Sequence, residues 1–100
     1  MTETFKEQRK IAIKMFIEEL PVLRAKIGIS QDQLAQYVGI SRQTYSAIEN
    51  EKRDVSWNVF LSLLCFFSIQ KKTNDFMKLI PGFTDVLGKC LDYGNHSKTR

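Results

Sequence analysis

ISQDQLAQYVGISRQTYSAIE, residues 29–49, decides the fold. Ser30 opens the stretch SQDQLAQYV (30–38), and Gln33 follows three residues later, which is the pattern of a capping box. Leu34, Ala35 and Val38 share one helical face and point inward. Gly39 can take a positive φ that other residues resist, so it supplies a sharp turn. Ser41 caps a second helix, RQTYSAIENE (42–51), from which Tyr45 and Ile48 face inward, with Ile40 bridging the turn. Ala35 is small where two helix backbones must come close. This spacing is that of a helix-turn-helix: one side is fixed by packing, and the second helix presents its N-terminal residues outward.

Outward from this stretch, the punctuation marks out more short helices. An N-terminal helix runs over about 4–19, where Ile13, Phe16, Ile17 and Leu20 recur on one face. Lys6, Lys10 and Lys14 fall on another face, which reads as solvated, with a phosphate-facing stripe as the alternative. Pro21 restarts the chain as a second helix, stopped by Gly28. After the loop 52–56 comes the very apolar segment 57–67, then the polar connection 68–75. Two further helices are predicted near 75–80 and 84–92, separated by Pro81 and Gly82, before a loose tail, 94–100. No segment alternates as a strand would.

With 100 residues, 43% of them hydrophobic and 26% charged, the chain fits one globular domain with one core. Two cysteines, Cys65 and Cys90, are too few for a disulfide framework, and each sits in an apolar stretch, so both are expected to be buried. The apolar run 57–69 is too short to span a bilayer. The start MTETFKEQRK carries Glu3 and Glu7 and does not read as a secretory signal, so the expected location is the cytoplasm. The net charge of +4 permits a polyanionic partner without demanding one. Residues 21–66 hold five basic and four acidic side chains, only +1, whereas 67–100 hold six against three. Bulk charge is therefore mostly not where a nucleic acid is expected to lie, and the reading rests on the placement of individual groups.

Residues 20–56 resemble the Xre family, the phage repressor and Cro type of helix-turn-helix domain, and the likeness extends over about 20–69. It is carried by Arg24, Gln31, Leu34-Ala35, Gly39, Ser41, Glu49 and Lys52. The resemblance implies an all-α fold: a compact lambda-repressor-like five-helix domain that binds operator DNA as a dimer. Here it has an added N-terminal helix (1–19) and added C-terminal helices (70–93). It also implies an ion pair between Arg24 and Glu49, which places Arg24 close to a DNA phosphate or serves as a structural bridge, and both readings stand together. One position departs from the family, which usually has Gly two residues after the glutamate. Here Glu51 stands there, after Asn50. Asn50 can still take the left-handed conformation, while Glu51 and Asp54 put negative charge near the expected phosphate path.

The candidate DNA-binding residues follow. Arg42, Gln43 and Thr44 open the recognition helix: Arg can bind a guanine edge and Gln an adenine edge with two hydrogen bonds each, and Thr44 can touch a thymine methyl or a phosphate. Ser46 is a weaker base-reading candidate, and Ala47 offers only apolar contact. Arg24, Gln31, Ser41, Lys52 and Arg53 are the phosphate-binding candidates, Gln31 because it sits where exposed helix N–H groups favour an anion. Trp57 reads as a core or shoulder aromatic.

The apolar helix 57–67 needs cover on several sides. The terminal helices are expected to supply it from within the chain, with part left for a dimer interface. Phe66, Phe67, Ile69, Phe76, Ile80, Phe83 and Leu87 are the candidates. The only histidine, His96, has no catalytic set around it, and there is no phosphate loop or zinc pattern, so no enzyme activity, cofactor, metal or small-molecule ligand is expected. The expected function is a sequence-specific DNA-binding regulator of the repressor kind, a homodimer on double-stranded DNA with no membrane partner. The alternative is an antitoxin-like or docking protein that uses the same fold to bind protein.

Overall fold

The computed structural model describes residues 2–92, so the tail and His96 lie outside the described residues. Among the described residues there are seven helices and no strand: α1 (Thr2–Glu18), α2 (Leu20–Ile27), α3 (Gln31–Val38), α4 (Arg42–Glu49), α5 (Trp57–Ile69), α6 (Lys71–Met77) and α7 (Phe83–Leu91). None of these helices is long and apolar enough to cross a membrane.

The ends of α2, α3 and α4 are set by local chemistry. Pro21 sits in the first turn of α2, where a missing N–H costs nothing. Gly28 ends that helix in the left-handed conformation, φ +71, and Gly39 ends α3 in the same way, φ +78. Ser30 and Gln33 form the reciprocal capping box, each bond 3.0 Å long. Ser41 and Ser56 cap α4 and α5 by accepting from Thr44 N–H and Val59 N–H. Each such cap is worth about 1 kcal/mol.

The core joins the terminal helices to the middle ones. Phe16 of α1 is fully buried, and its ring lies 5.4 Å from that of Phe60, 6.3 Å from Phe67 and 6.0 Å from Phe83. Ala12, Ile17, Leu20, Leu23, Leu34, Ala35, Tyr45, Ile48, Leu63, Met77, Ile80 and Cys90 complete the buried cluster. At its rim the Arg9 guanidinium lies 4.6 Å from the Trp57 ring, which straps α1 over the start of α5. Trp57 itself is half-buried and stacks on Phe60.

Four expectations need correction. The helix expected at 75–80 is α6, and it starts at Lys71. Thr73 is buried there and its hydroxyl donates to the Phe67 carbonyl at 2.6 Å, satisfying the end of α5, while Lys71 and Asp75 pair at 3.1 Å on the outer face. Cys65 is exposed rather than buried, because Phe60, Leu63 and Phe67 are the residues of α5 that turn inward and Cys65 lies off that face. Ile69 is exposed, so of its two expected roles, cover within the chain and dimer interface, it does not take the first. The recognition helix ends at Glu49, two residues early, and the left-handed residue after it is Glu51, φ +58, rather than Asn50, φ −84.

A side chain with a β-carbon in the left-handed region costs roughly 1–2 kcal/mol, and glycine escapes most of this cost. Glu51→Gly is expected to raise stability by about 1 kcal/mol in urea unfolding, less whatever its exposed ion pair contributes. A loss of stability would show that the loop holds Glu51 by contacts worth more than the strain.

Candidate nucleic-acid interface

Glu49, at the last position of α4, organises the packed side of the motif. Its side chain is 7% exposed and accepts four hydrogen bonds. Arg24 gives two of them, from Nε at 2.9 Å and Nη2 at 3.0 Å, in the parallel fork that suits a carboxylate. Gln31 Nε2 donates at 2.5 Å and Tyr45 Oη at 2.7 Å. Burial pushes the Glu49 carboxyl up, but the bonds from Arg24, Tyr45 and Gln31 outweigh it and hold the group below the usual carboxylate range. The bond to Glu49 raises Arg24 in turn, and burial, aided by Glu49, pushes Tyr45 up.

This network sets what each candidate can offer a ligand. Arg24 also donates Nη1 to the Ile29 carbonyl at 3.2 Å. Three of its five N–H groups are thus engaged, which leaves one on Nη1 and one on Nη2. Gln31 keeps its second amide N–H. The network pins the start of α3 and the end of α2 to the end of α4, so the relative placement of the three helices is fixed by charge-assisted bonds as well as by packing.

The outward side of α4 is different in character. Arg42, Gln43, Ser46, Ala47, Asn50 and Lys52 line one shallow surface hollow of about 370 Å³. Arg42, Gln43 and Lys52 are exposed, and Ser46 is half-buried. Two candidates belong to the cap rather than the hollow. Ser41 Oγ accepts from Thr44 N–H at 3.0 Å and donates to Thr44 Oγ1 at 2.9 Å, so Thr44 retains its own hydroxyl proton for an acceptor. Arg53 is placed apart from Lys52: it lines a separate cleft of about 530 Å³ with Lys10, Lys14, Glu51 and Asp54, between α1 and the loop after α4. The structure therefore brings together Arg42, Gln43, Ser46 and Lys52, gathers Arg24 and Gln31 on Glu49, and separates Arg53 from both groups.

Two contributors were not singled out from sequence. Tyr45 was read only as a core residue, although its spacing of four from Glu49 on one helix is a legible signal for the bond it makes. Lys14, read as part of a solvated face, reaches Glu51 at 3.5 Å across a sequence gap that no local pattern spans.

Comparison with protein-family models matches residues 23–69 to one described as Helix-turn-helix. The chain carries an Xre-like helix-turn-helix domain. Comparisons with curated proteins and with solved structures return no match. The helix-turn-helix match runs from Leu23 through Ile69, so it takes in the Glu49 network and the hollow of α4 and stops at the end of α5. The whole of α1, α6 and α7 lies outside it, although Phe16 and Phe83 share its core. Domains of the helix-turn-helix kind are DNA-binding regulatory modules in which the second motif helix is the one that reads the major groove, and α4 holds that second position in the motif here.

Proposed function

We propose that the protein is a sequence-specific DNA-binding regulator that seats α4 in the major groove. The observation that carries this reading is the hollow of α4, where Arg42, Gln43 and Ser46 share one exposed surface with Lys52 while Glu49 is turned inward and held by Arg24, Gln31 and Tyr45. An arginine and a glutamine side by side on the first turn of such a helix supply bidentate donors and acceptors for base edges, each worth about 1–3 kcal/mol of discrimination. Lys52, with the remaining donors of Arg24, Gln31 and Thr44, supplies backbone contacts that set register. Two copies on a pseudo-palindromic site place their recognition helices about 34 Å apart, and occupancy of a promoter makes such a protein a repressor acting in the cytoplasm.

Selection from a random duplex pool at several salt concentrations tests the proposal. The expected result is enrichment of a pseudo-palindrome, with affinity falling as salt rises. Gln43→Ala is expected to relax sequence preference at one position, and Lys52→Ala to weaken all sequences alike and reduce the salt slope by about 1.

One observation favours the second reading, protein docking. Tyr37, Ile69 and Leu79 are 73%, 75% and 76% exposed, and Tyr37 lies 5.1 Å from the half-buried Phe66 ring. If selection at low salt enriches no sequence, the docking reading takes the lead.

A further inference from the structure

Glu51 combines two unfavourable features. It is the one non-glycine residue with positive φ among the described residues, and it places a negative charge directly after the recognition helix. Its backbone has a local reason for this conformation. Glu51 N–H donates to the Ile48 carbonyl at 2.9 Å and Lys52 N–H to the Ala47 carbonyl at 2.8 Å, so the left-handed residue closes the end of α4. The same turn separates the neighbouring side chains. Asn50 and Lys52 line the hollow with Arg42 and Gln43, whereas Glu51 lines the opposite cleft, against α1. There its carboxylate meets Lys14 Nζ at 3.5 Å. Lys14 also pairs with Glu18 at 3.3 Å, and Lys10 and Arg53 line the same cleft.

We propose that Lys14 is a positioning residue for DNA binding: by pairing with Glu51 it draws that carboxylate into the cleft against α1, away from the DNA-facing hollow, and offsets part of its charge. A helix that lies outside the helix-turn-helix match thereby tunes the affinity of the helix inside it. This inference rests on the reading of α4 as the DNA-facing helix. The pair is no stability device, since its side chains are 67% and 51% exposed and such pairs contribute little to folding. Its effect is on the field at the DNA. An unpaired carboxylate within about a Debye length of several phosphates repels each of them, and the repulsion fades as salt rises.

The test measures affinity for a mixed-sequence duplex of about 20 base pairs, long enough for two half-sites, with the full chain at two salt concentrations. Four proteins are compared: wild type, Lys14→Ala, Glu51→Gly and the double variant. Lys14→Ala is expected to weaken binding about three-fold at about 50 mM salt and less at about 200 mM. Glu51→Gly is expected to strengthen binding, and Lys14→Ala is expected to weaken it less in that background than in the wild type, because only the bare charge of Lys14 and not its hold on Glu51 is then lost. A merely structural role for Lys14 does not produce this dependence on background, and thermal unfolding of each variant checks that α1 remains docked. Equal weakening in both backgrounds overturns the inference, because Lys14 then acts on the DNA through its own charge and not through Glu51. Unchanged affinity in Lys14→Ala overturns it as well. A wild-type chain that fails to bind the duplex at the lower salt overturns both this inference and the DNA-binding reading beneath it.

Discussion

Glu49→Ala is expected to lower unfolding stability by about 3 kcal/mol, a large share of the 5–15 kcal/mol typical of a domain. The substitution removes one carboxylate but strands three partners. Arg24 loses both bonds of its fork, and the fully buried Tyr45 keeps a hydroxyl with no acceptor from Glu49. Gln31 loses its bond as well. Removing one member of a buried pair costs more than the pair contributes, because the charge left behind stays desolvated. Urea midpoints measure this loss directly. The same carboxylate gives the wild type an acid-sensitive step. Its folded pKa lies below its unfolded value, so its contribution is fully present above about pH 4.3 and is lost as pH falls through the folded pKa. In that window the unfolded state binds more protons, and stability falls with falling pH. Wild-type stability from this group is expected to hold between about pH 7 and 5 and to drop below about pH 4. The Glu49→Ala curve is expected to be flatter in acid. Parallel curves, or a cost below about 1 kcal/mol, would mean the network is only a surface arrangement.

Phe16→Ala is expected to cost about 3–5 kcal/mol, the range for deleting a fully buried aromatic side chain. The residue lies on α1, outside the helix-turn-helix match, yet it touches rings from α5 and α7 within one cluster. The cavity opens at the junction of the added helices with the motif helices, where Phe60, Phe67 and Phe83 are themselves fully or almost fully buried and have little freedom to collapse inward. The loss is therefore expected to appear as a single cooperative transition at lower urea, not as early melting of α1 alone. A two-step transition, with the signal of α1 lost first, would show that the N-terminal helix is an appendage to an independently stable motif.

The motif helices were legible because their signals are local. Ser30 with Gln33, Gly39 and Ser41 each act within four residues of their own position, and the structure uses all of them as the spacing predicts. The Arg24 and Glu49 pair was legible only through a family likeness, since nothing local joins residues 25 apart. What escaped depends on tertiary placement. The inward face of α5 cannot be chosen from a sequence apolar nearly all round, and Cys65 was misplaced for that reason. The start of α6 depends on Thr73 finding the end of α5, which polar residues 71–75 do not advertise. Asn is the usual non-glycine residue in the left-handed region, so Asn50 was the natural choice. The bonds that close α4 put Glu51 there instead, and α1 supplies its cation. In the candidate interface, residue types and the family likeness single out Arg42, Gln43, Ser46 and Lys52, which line one hollow, whereas the turn after α4 puts Arg53, grouped with Lys52 from sequence, in a different cleft.

The most direct test of the central claim, that α4 presents the DNA-binding surface, is an amide chemical-shift titration of the full chain with a duplex at low salt. Perturbations are predicted to concentrate at 30–33, 41–47 and 50–53, the ends and outward face of the motif helices, and to disappear as salt is raised. Perturbations centred instead on Tyr37, Phe66 and Ile69, or none at any salt concentration, would contradict it.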